Sequence, residues 1–161
     1  MNILFITLAD IRSIDDNGIY TDLMREFAKK NHNIYIVSPI ERRNGIDTHM
    51  LSYGEFEDWH KNVQILKIKT GNIQKTNVIE KGISTVLIEY IVKYGIKKYF
   101  NEIKFDLILY STPPITLVSP VKYVKKRDNA RTYLMLKDIF PQNAVDVGML
   151  STQGLKGVIY R

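Results

Sequence analysis

Short apolar runs alternate with helical periodicities along the first part of this chain. Asn2–Leu8 is a continuous apolar run, as expected for a strand buried on both faces. After a polar loop, apolar residues at helical spacing predict a helix that begins after Gly18 and ends before Asn31, which suits a left-handed cap. A second strand, Asn33–Ser38, is expected to end at Pro39. This β-α-β unit implies parallel strands and a right-handed crossover.

The rest of the chain continues the alternation of strands and helices. Residues 40–62 are polar and irregular, so a long connection is expected there. Val63–Lys69 alternates apolar and polar residues, which is typical of an edge strand. Asp106–Ser111 predicts a fourth strand, and a helix over about Ile115–Lys126 follows. Arg131–Leu136 predicts a fifth, buried strand that delivers a Lys-Asp pair to the edge of the sheet.

These elements predict an α/β, doubly wound, Rossmann-like domain over residues 1–161. The sheet is expected to be mainly parallel with strand order 3-2-1-4-5, which places the switch point between the first and fourth strands. Three loops, Asp10–Gly18, Thr112–Pro114 and Lys137–Gln142, would then meet at one edge of the sheet. Ligands of open parallel sheets bind at that edge.

The composition limits which cellular compartment and which partners are expected. The 161 residues contain no cysteine, which excludes disulfides and thiol catalysis and favours the cytoplasm. The formal net charge is +6, and residues 81–137 carry eleven Lys or Arg against four Asp or Glu. This surplus suits an anionic partner, although a solvated basic face explains it equally well. No nucleic-acid-binding module is recognisable, so no nucleic acid partner is expected.

The helical pattern over Ile83–Phe100 carries an apolar stripe with two interpretations. It is the inward face of a core helix, or it rests on a membrane. The stripe consists of Ile83, Val86, Leu87, Tyr90, Ile91 and Tyr94. In the membrane interpretation Lys93, Lys97 and Lys98 face anionic lipid, and the aromatic residues Tyr90, Tyr94, Tyr99 and Phe100 suit the interface.

The candidate site residues lie in the three converging loops. Gly18 would let the backbone approach a ligand next to a helix N-terminus, or it is a plain turn glycine. Thr112 and Pro113 supply a hydroxyl and a stiff exit from the strand, or ordinary capping. Asp138 could accept a hydrogen bond from a substrate hydroxyl, or cap the turn that follows it. Lys137 could bind a phosphate or pair with a carboxylate.

Several common site types lack support in the sequence. The three histidines, His32, His49 and His60, share no metal-ligand spacing, so no metal site is expected. His32 is expected to be a packed turn residue, and the other two are expected to be exposed or to contact substrate. The glycine-rich dinucleotide and P-loop motifs are absent, which weakens a nucleotide- or flavin-binding interpretation. No nucleophile elbow is present.

The order of these segments resembles the N-terminal domain of retaining glycosyltransferases of family four, which have the two-domain GT-B fold. The resemblance covers essentially all 161 residues. Its parts are Ile3–Thr7, Asn17-Gly18, Asn31–Val37 before Pro39, Asp106–Pro114 and Lys137-Asp138-Ile139-Phe140-Pro141-Gln142. The chain departs from the family's motifs at several of these positions. It has one glycine in the first loop, Asn31 before His32, and Lys137, Phe140 and Gln142 in the last motif.

The resemblance implies the acceptor-binding half of an enzyme that moves a sugar from a nucleotide-sugar donor to a saccharide or lipid-linked saccharide, with retention. It implies bacterial capsular or O-antigen polysaccharide synthesis, without a metal ion or other cofactor. Asp138 would be catalytic. Asn17, Gly18, Thr112, Pro113, Lys137 and Gln142 would bind substrate. The donor would bind through a C-terminal domain beyond residue 161, so this chain alone is expected to be inactive.

The resemblance also sets the location and one alternative. The protein is expected in the cytoplasm, with peripheral contact to the inner face of the cell membrane also allowed. The alternative is a non-catalytic acceptor-binding or membrane-anchoring subunit of a split glycosyltransferase. Coding sequence that continues past Arg161 into a second α/β domain would favour the enzyme, and a stop codon would favour the subunit.

Overall fold

A computed structural model of the chain describes residues 1–53, 60–72, 78–111 and 117–136. Within these ranges it contains six β-strands and three α-helices. The strands are β1 (Asn2–Ile6), β2 (Asn33–Glu41), β3 (His49–Tyr53), β4 (Val63–Thr70), β5 (Leu107–Ser111) and β6 (Arg131–Met135). The helices are α1 (Ile19–Lys29), α2 (Val78–Tyr99) and α3 (Val118–Asp128).

The strands form one sheet in the order β3-β4-β2-β1-β5-β6. Every neighbouring pair is parallel except β3 and β4, which are antiparallel. The five predicted strands therefore have the predicted order, and the predicted switch point between β1 and β5 is confirmed. The α/β, mainly parallel, doubly wound fold is confirmed with it.

The strand β3 corrects the prediction for residues 40–62. This stretch was expected to be an irregular loop, but His49–Tyr53 pairs with Val63–Lys67 in register. Its apolar alternation is too short to stand out in the sequence. β4 is consequently an interior strand rather than the predicted edge strand, because β2 and β3 flank it.

The second strand also runs further than predicted. Pro39 was expected to end it, but β2 continues to Glu41, with Pro39 opposite Ile68 on β4. A proline lacks the N–H group, yet its carbonyl still accepts hydrogen bonds. This extension carries the backbone of β2 past the end of β1, toward the carboxyl edge of the sheet.

Two apolar layers cover the sheet, because neighbouring strand residues point to opposite faces. Ile3 and Phe5 of β1 pack on the face covered by α1, with Met24 and Ala28. Residues of alternate parity on the central strands pack with α2 and α3 on the other face. That second cluster includes Leu4, Ile6, Ile88, Val92, Ile96, Phe100, Val121 and Val124.

The cap predicted after α1 is present. Asn31 has a φ of 60°, in the left-handed region. Its N–H donates to the Ala28 carbonyl at 2.9 Å, and the His32 N–H donates to the Phe27 carbonyl at 3.2 Å. These two bonds form a Schellman motif, which satisfies the last carbonyls of the helix. The His32 ring lies 6.2 Å from the Phe27 ring, so His32 is the packed turn residue that was predicted.

The apolar stripe of α2 does not face the core as one of its two interpretations required. Five of its six residues, Ile83, Val86, Leu87, Tyr90 and Tyr94, are exposed, and Ile91 alone of the stripe packs against the core. The core-facing positions are Ser84, Ile88, Val92 and Ile96. The helix is apolar on two sides, so a single stripe read from the sequence could not identify the buried one. Phe100 is fully buried and is not available to an interface.

The prediction that the last strand, β6, is buried is wrong. It was expected to be buried, but the side chains of Tyr133, Leu134 and Leu136 around it are exposed. In the described part of the sheet, β6 is the outermost strand and pairs with β5 alone. A strand at this position lacks a neighbour on one side.

Candidate functional site

The ends of β1 and β5 meet at the switch point. Their strands are parallel, so their carboxyl ends lie at the same edge of the sheet. Thr7, just after β1, places its buried Oγ1 3.3 Å from Oγ of Ser111, the last residue of β5. Two hydroxyls thus join the strands where the crevice of a doubly wound sheet begins.

A buried lysine lies beside this edge. Lys67 of β4 is only 2% exposed. Its Nζ donates to Asp10 Oδ1 at 2.6 Å, to the Ile11 carbonyl at 2.8 Å and to Ser38 Oγ at 3.0 Å. It also lies 3.1 Å from the Pro39 carbonyl. A buried ammonium needs such acceptors, because its loss of water is otherwise costly.

The Ser38 hydroxyl extends this network. Ser38 Oγ donates to the Ala9 carbonyl at 2.8 Å and accepts the Ile11 N–H at 3.0 Å. β2, β4 and the loop after β1 are therefore joined by one set of polar contacts. The position of the Asp10 carboxylate at the edge of the sheet follows from this network.

The charges of Lys67 and Asp10 influence each other. Burial lowers the pKa of the Lys67 ammonium below its ordinary value, although the Asp10 carboxylate opposes that change. Burial alone would raise the pKa of Asp10, but the hydrogen bonds from Lys67 and Arg12 outweigh it and hold the pKa below its ordinary value of 3.8. Asp10 is therefore an anion at neutral pH.

The loop that carries Asp10 is anchored by apolar side chains. Ile11 and Ile14 are buried in the core layer on the α1 side. Between them Arg12 is exposed, and its Nε donates to Asp10 Oδ2 at 3.1 Å. Arg25 of α1 donates to the Ile14 carbonyl at 2.6 Å and to the Asp16 carbonyl at 3.0 Å. These contacts fix the loop to the core, while Asp10, Arg12 and Asp16 line a cavity at the edge of the sheet.

Gly18 adopts an extended backbone at the start of α1, with φ 174° and ψ 153°. Any residue can adopt this conformation. An added Cβ would lie 3.3 Å from Thr21 Oγ1, so space rather than a left-handed φ favours glycine here. The Asp22 carboxylate, paired with Arg25, already lies in the first turn of the helix. A bound anion at this terminus would meet that negative charge.

Two adjoining cavities, one mainly polar and one lined by both polar and apolar side chains, open at this edge of the sheet. One, of about 560 Å³, is lined by Leu8, Asp10, Arg12, Asp16, Pro39, Glu41, Arg43 and Asn44. The other, of about 410 Å³, is lined by Asp10, Arg12, Ile40, Asn44, Ile46, His49, Leu51 and Lys67. Asp10, Arg12 and Asn44 border both cavities, and we call the combined space the polar crevice. It offers carboxylate, guanidinium, amide and imidazole groups to a ligand.

The far wall of the polar crevice follows β2. A short 3-10 turn, Arg42–Asn44, connects β2 to Gly45, whose φ of 68° is left-handed. Arg43 Nε lies 2.9 Å from Glu41 Oε2, and the Arg43 N–H donates to Asn72 Oδ1 at 3.0 Å. The turn is thereby fixed to the end of β4, which places Arg43 and Asn44 opposite the Asp10 loop.

Most of the predicted site residues lie outside the described ranges. These are Thr112, Pro113, Lys137, Asp138 and Gln142. Their roles, and the meeting of their loops, therefore stay predictions. Asn17 and Gly18 are described, and both are exposed at the carboxyl edge, between the Asp10 loop and α1. Their proposed contact with substrate is untested.

The histidines have separate positions. His49, on β3, borders the polar crevice, and its Nδ1 lies 2.8 Å from the Asp47 carbonyl. A carbonyl only accepts, so Nδ1 carries the proton and Nε2 is left as an acceptor in the neutral ring. The side chain of His60 lies outside the described residues. In the described ranges no group of three His, Asp or Glu side chains is arranged to hold a metal ion.

Sequence patterns missed the centre of this site. Lys67 occupies a polar position of an alternating strand, where a solvated lysine is the ordinary expectation. Only the pairing of β3 with β4 makes the position interior. Asp10 and Arg12 lie in a loop whose glycine, rather than its charged residues, carries the sequence prediction. The sequence does contain one signal that this loop is ordered. Ile11 and Ile14 are apolar residues that interrupt an otherwise polar loop.

A third cavity lies between α1 and β6. It is apolar, has a volume of about 560 Å³ and is lined by Ile19, Tyr20, Tyr133, Leu134, Met135 and Leu136. Asn17 and Gly18 immediately precede its α1 residues in the chain. The exposed side chains of β6 thus form one wall of this cavity.

The fold is similar to that of a known enzyme structure. The trehalose-6-phosphate synthase of E. coli, a GT-B glycosyltransferase solved with UDP-2-fluoro glucose bound, aligns with a TM-score of 0.50 and 8% sequence identity. The alignment covers 81% of this chain and 32% of that one, so the chain spans about a third of that enzyme. At this identity the likeness extends to the fold of one GT-B domain.

Comparisons of the sequence give no further assignment. No protein-family model matches the chain. No curated protein matches it either.

Proposed function

We propose that this chain is the acceptor-binding half of a retaining GT-B glycosyltransferase. The donor, a nucleotide sugar, would bind to a second domain across the cleft. The main support is the polar crevice at the carboxyl edge of a sheet whose fold is similar to that of a GT-B domain. The motif resemblance around Lys137-Asp138 supports the same assignment. Synthesis of a bacterial surface polysaccharide is the process to which that resemblance points.

The chemistry of the polar crevice suits a saccharide. Sugar hydroxyls donate to carboxylates and accept from guanidinium and amide groups. Asp10 supplies an acceptor with a lowered pKa, Arg12 supplies donors, and Asn44 supplies both. The His49 ring lines the same cavity as Lys67 and adds a flat aromatic surface to it. In this proposal these groups bind the acceptor and orient its nucleophilic hydroxyl.

The predicted roles of the other site residues complete the proposal. Asp138 would lie against the acceptor hydroxyl and the transferred sugar, with Thr112, Pro113 and Gln142 in neighbouring loops. Lys137 would be near the donor phosphate. Asn17 and Gly18 would form the adjoining part of the cleft. No step in this scheme needs a metal ion held by this chain.

The test is a transfer assay on protein that carries this domain with its donor-binding partner, on one chain or as two subunits. Arg12→Ala and Asn44→Ala should raise the KM for acceptor several-fold and leave the KM for donor unchanged. Asp138→Ala should lower kcat at unchanged stability. Glu102→Ala is the matched control, because this exposed carboxylate lies near the opposite, amino edge of the sheet.

The proposal fails if the crevice variants alter donor and acceptor KM equally, or alter neither. An Asp138→Ala enzyme whose loss of activity parallels its loss of stability would identify Asp138 as a helix or turn cap. The 161-residue chain by itself should transfer no sugar, and efficient transfer would exclude the two-domain assignment.

A further inference from the structure

The exposed face of α2 is apolar and aromatic over several turns. Ile83, Val86, Leu87, Tyr90 and Tyr94 follow the i, i+3, i+4 spacing that places side chains on one side of a helix. Tyr90 is 67% exposed and Tyr94 is 66% exposed. We call these five residues the α2 face. Single exposed apolar side chains are common, but a contiguous set of five marks an interaction surface.

The core cannot accommodate the α2 face by rotation of the helix. The opposite side, with Ile88, Val92 and Ile96, is already buried against the sheet. Gly95 brings that side so close that an added Cβ would lie 2.4 Å from Ile68 Cδ1. The helix therefore has one apolar side committed to the protein interior and a second one open to its surroundings.

Basic residues border the α2 face. Lys97 and Lys98 continue it into the last turn of the helix, and both are exposed. The neighbouring helix α3 adds the exposed Lys122, Lys125 and Lys126. Lys93 and Lys97 hold their Nζ atoms 5.6 Å and 5.0 Å from the centre of the Tyr123 ring, so these ammonium groups cluster between the two helices.

Among the described side chains of the two helices, basic residues outnumber carboxylates seven to two. Glu89 of α2 is half-buried and lies off the apolar stripe. Asp128 of α3 is buried and bound to Arg127, with Nε 2.6 Å from Oδ1. An apolar, tyrosine-containing strip with lysines along its margin is complementary to anionic lipid, whose acyl region is apolar and whose headgroups are negative.

We propose that the α2 face rests on the surface of an anionic membrane. The helix axis lies in the plane of the membrane, with Ile83, Val86 and Leu87 at the acyl boundary. Tyr90 and Tyr94 lie at the same boundary, in the interfacial region where amphipathic aromatic rings are favoured. Lys97 and Lys98, with the α3 lysines, contact lipid phosphates. In the described part of the chain, no helix has the length and apolarity needed to cross a bilayer.

This inference does not rest on the proposed function. It concerns the side of the sheet that α2 and α3 cover, and it requires neither a sugar donor nor the second domain. Binding to vesicles can therefore fail while sugar transfer succeeds, and the reverse can also occur.

The experiment is co-sedimentation of the chain with vesicles. One set is phosphatidylcholine alone, and the other is an equal mixture of phosphatidylcholine and phosphatidylglycerol. Binding should be strong only to the mixture and should weaken as salt is added. Lys97→Glu with Lys98→Glu should lower the partition coefficient more than about tenfold, since each lysine near an anionic surface contributes roughly fivefold. Tyr90→Ser with Tyr94→Ser should also lower it.

The matched control is Lys29→Glu with Lys30→Glu. These two exposed lysines also lie at a helix C-terminus, but α1 covers the opposite side of the sheet. The control should bind vesicles within about twofold of the unchanged chain, because its charges face away from the lipid. Circular dichroism melts show whether each variant is folded, and single substitutions at Lys97 and Tyr94 replace any pair that is not.

Three results would overturn the proposal. The first is a folded, unchanged chain that does not bind the anionic vesicles. The second is a control variant that loses as much binding as the Lys97 and Lys98 pair, which would show a general charge effect. The third is self-association that Tyr90→Ser with Tyr94→Ser abolishes, with no vesicle binding. That result would assign the α2 face to a second copy of the chain.

Discussion

Lys67 Nζ lies 2.6 Å from Asp10 Oδ1, although 57 residues separate them in the chain. The lysine is interior, whereas the Asp10 side chain is 37% exposed at the crevice. The contact therefore joins the core of the sheet to the wall of the candidate site. It is a structural contact, and under the proposed function it also positions the Asp10 carboxylate for a ligand.

Removal of this ammonium should destabilise the fold. Lys67→Met leaves Asp10, the Ile11 carbonyl and the Pro39 carbonyl without their shared donor, so a loss of about 3 kcal/mol is expected. The measurement is the free energy of unfolding in urea. Lys69→Met is the control, because Lys69 pairs with Asp47 at the same 2.6 Å but is 40% exposed. It should cost far less than Lys67→Met, because exposed ion pairs contribute little. Equal losses would show that the Lys67 network adds nothing beyond an ordinary surface pair.

Asp128 should give the protein an acid-dependent stability. Burial raises its pKa, but Arg127 and the Phe105 N–H outweigh that effect and hold the pKa below 3.8. Since the folded-state pKa is lowered, the stabilisation is complete above pH 3.8 and is lost as pH falls through the folded value. Asp128→Asn should therefore cost about 2 kcal/mol near pH 7, and the difference from the unchanged chain should shrink below pH 4.

The corresponding measurement is a set of urea titrations between neutral and acidic pH. Asp22→Asn is the comparison, because the Asp22 side chain is 59% exposed in its ion pair with Arg25. It should cost clearly less than Asp128→Asn near neutral pH, as expected for a surface pair. A constant difference for Asp128→Asn across the whole pH range would contradict a charge-based role.

The left-handed conformation at Asn31 should disfavour a residue that has a Cβ but whose side chain makes no local hydrogen bond. Asn31→Ala should cost about 1 kcal/mol, and Asn31→Gly should be neutral or slightly stabilising. Thermal melts of both variants test this directly. Asn101→Ala, at an exposed turn after α2, is the control and should have almost no effect. An alanine that is tolerated equally at both positions would argue against a strained φ at Asn31.

Because α2 and β4 are in close contact, substitutions at Gly95 and Ile68 should have non-additive effects on the free energy of unfolding. Gly95→Ala gains about 1 kcal/mol of helix propensity, but its Cβ would lie 2.4 Å from Ile68 Cδ1. Such overpacking costs about 1–3 kcal/mol, so a net loss is expected. Ile68→Val removes the Cδ1 atom and should itself cost about 1 kcal/mol. The double variant should be more stable than the sum predicts, and strict additivity would show that the two residues do not interfere.

The order of the five parallel strands was predictable because each strand is a distinct apolar run with helical patterns between most of them. The cap at Asn31 was predictable because it depends on local backbone geometry alone. The burial of Lys67 depends instead on a partner strand, His49–Tyr53, whose apolar alternation is weak. The prediction of which side of α2 is buried failed for a related reason. Two sides of the helix are apolar, and periodicity does not indicate which of them packs against the core.

The candidate site divides in the same way. Gly18 and Asn17 were predicted from their place before a helix; they lie at the carboxyl edge, and their contact with substrate stays a prediction. Asp10, Arg12, Asn44 and His49 come from three separate segments, and tertiary packing alone brings them around one space. A pattern confined to neighbouring residues carries no information about such a meeting.

The network around Lys67 has a consequence for ligand recognition. The loop after β1 is ordered by contacts within the protein, through Ser38, Ile11 and the buried ammonium. The conformational entropy of Asp10 is thus largely lost when the chain folds rather than when a ligand arrives. A ligand that meets this carboxylate finds it preorganised, so more of the contact energy is available to hold the complex together.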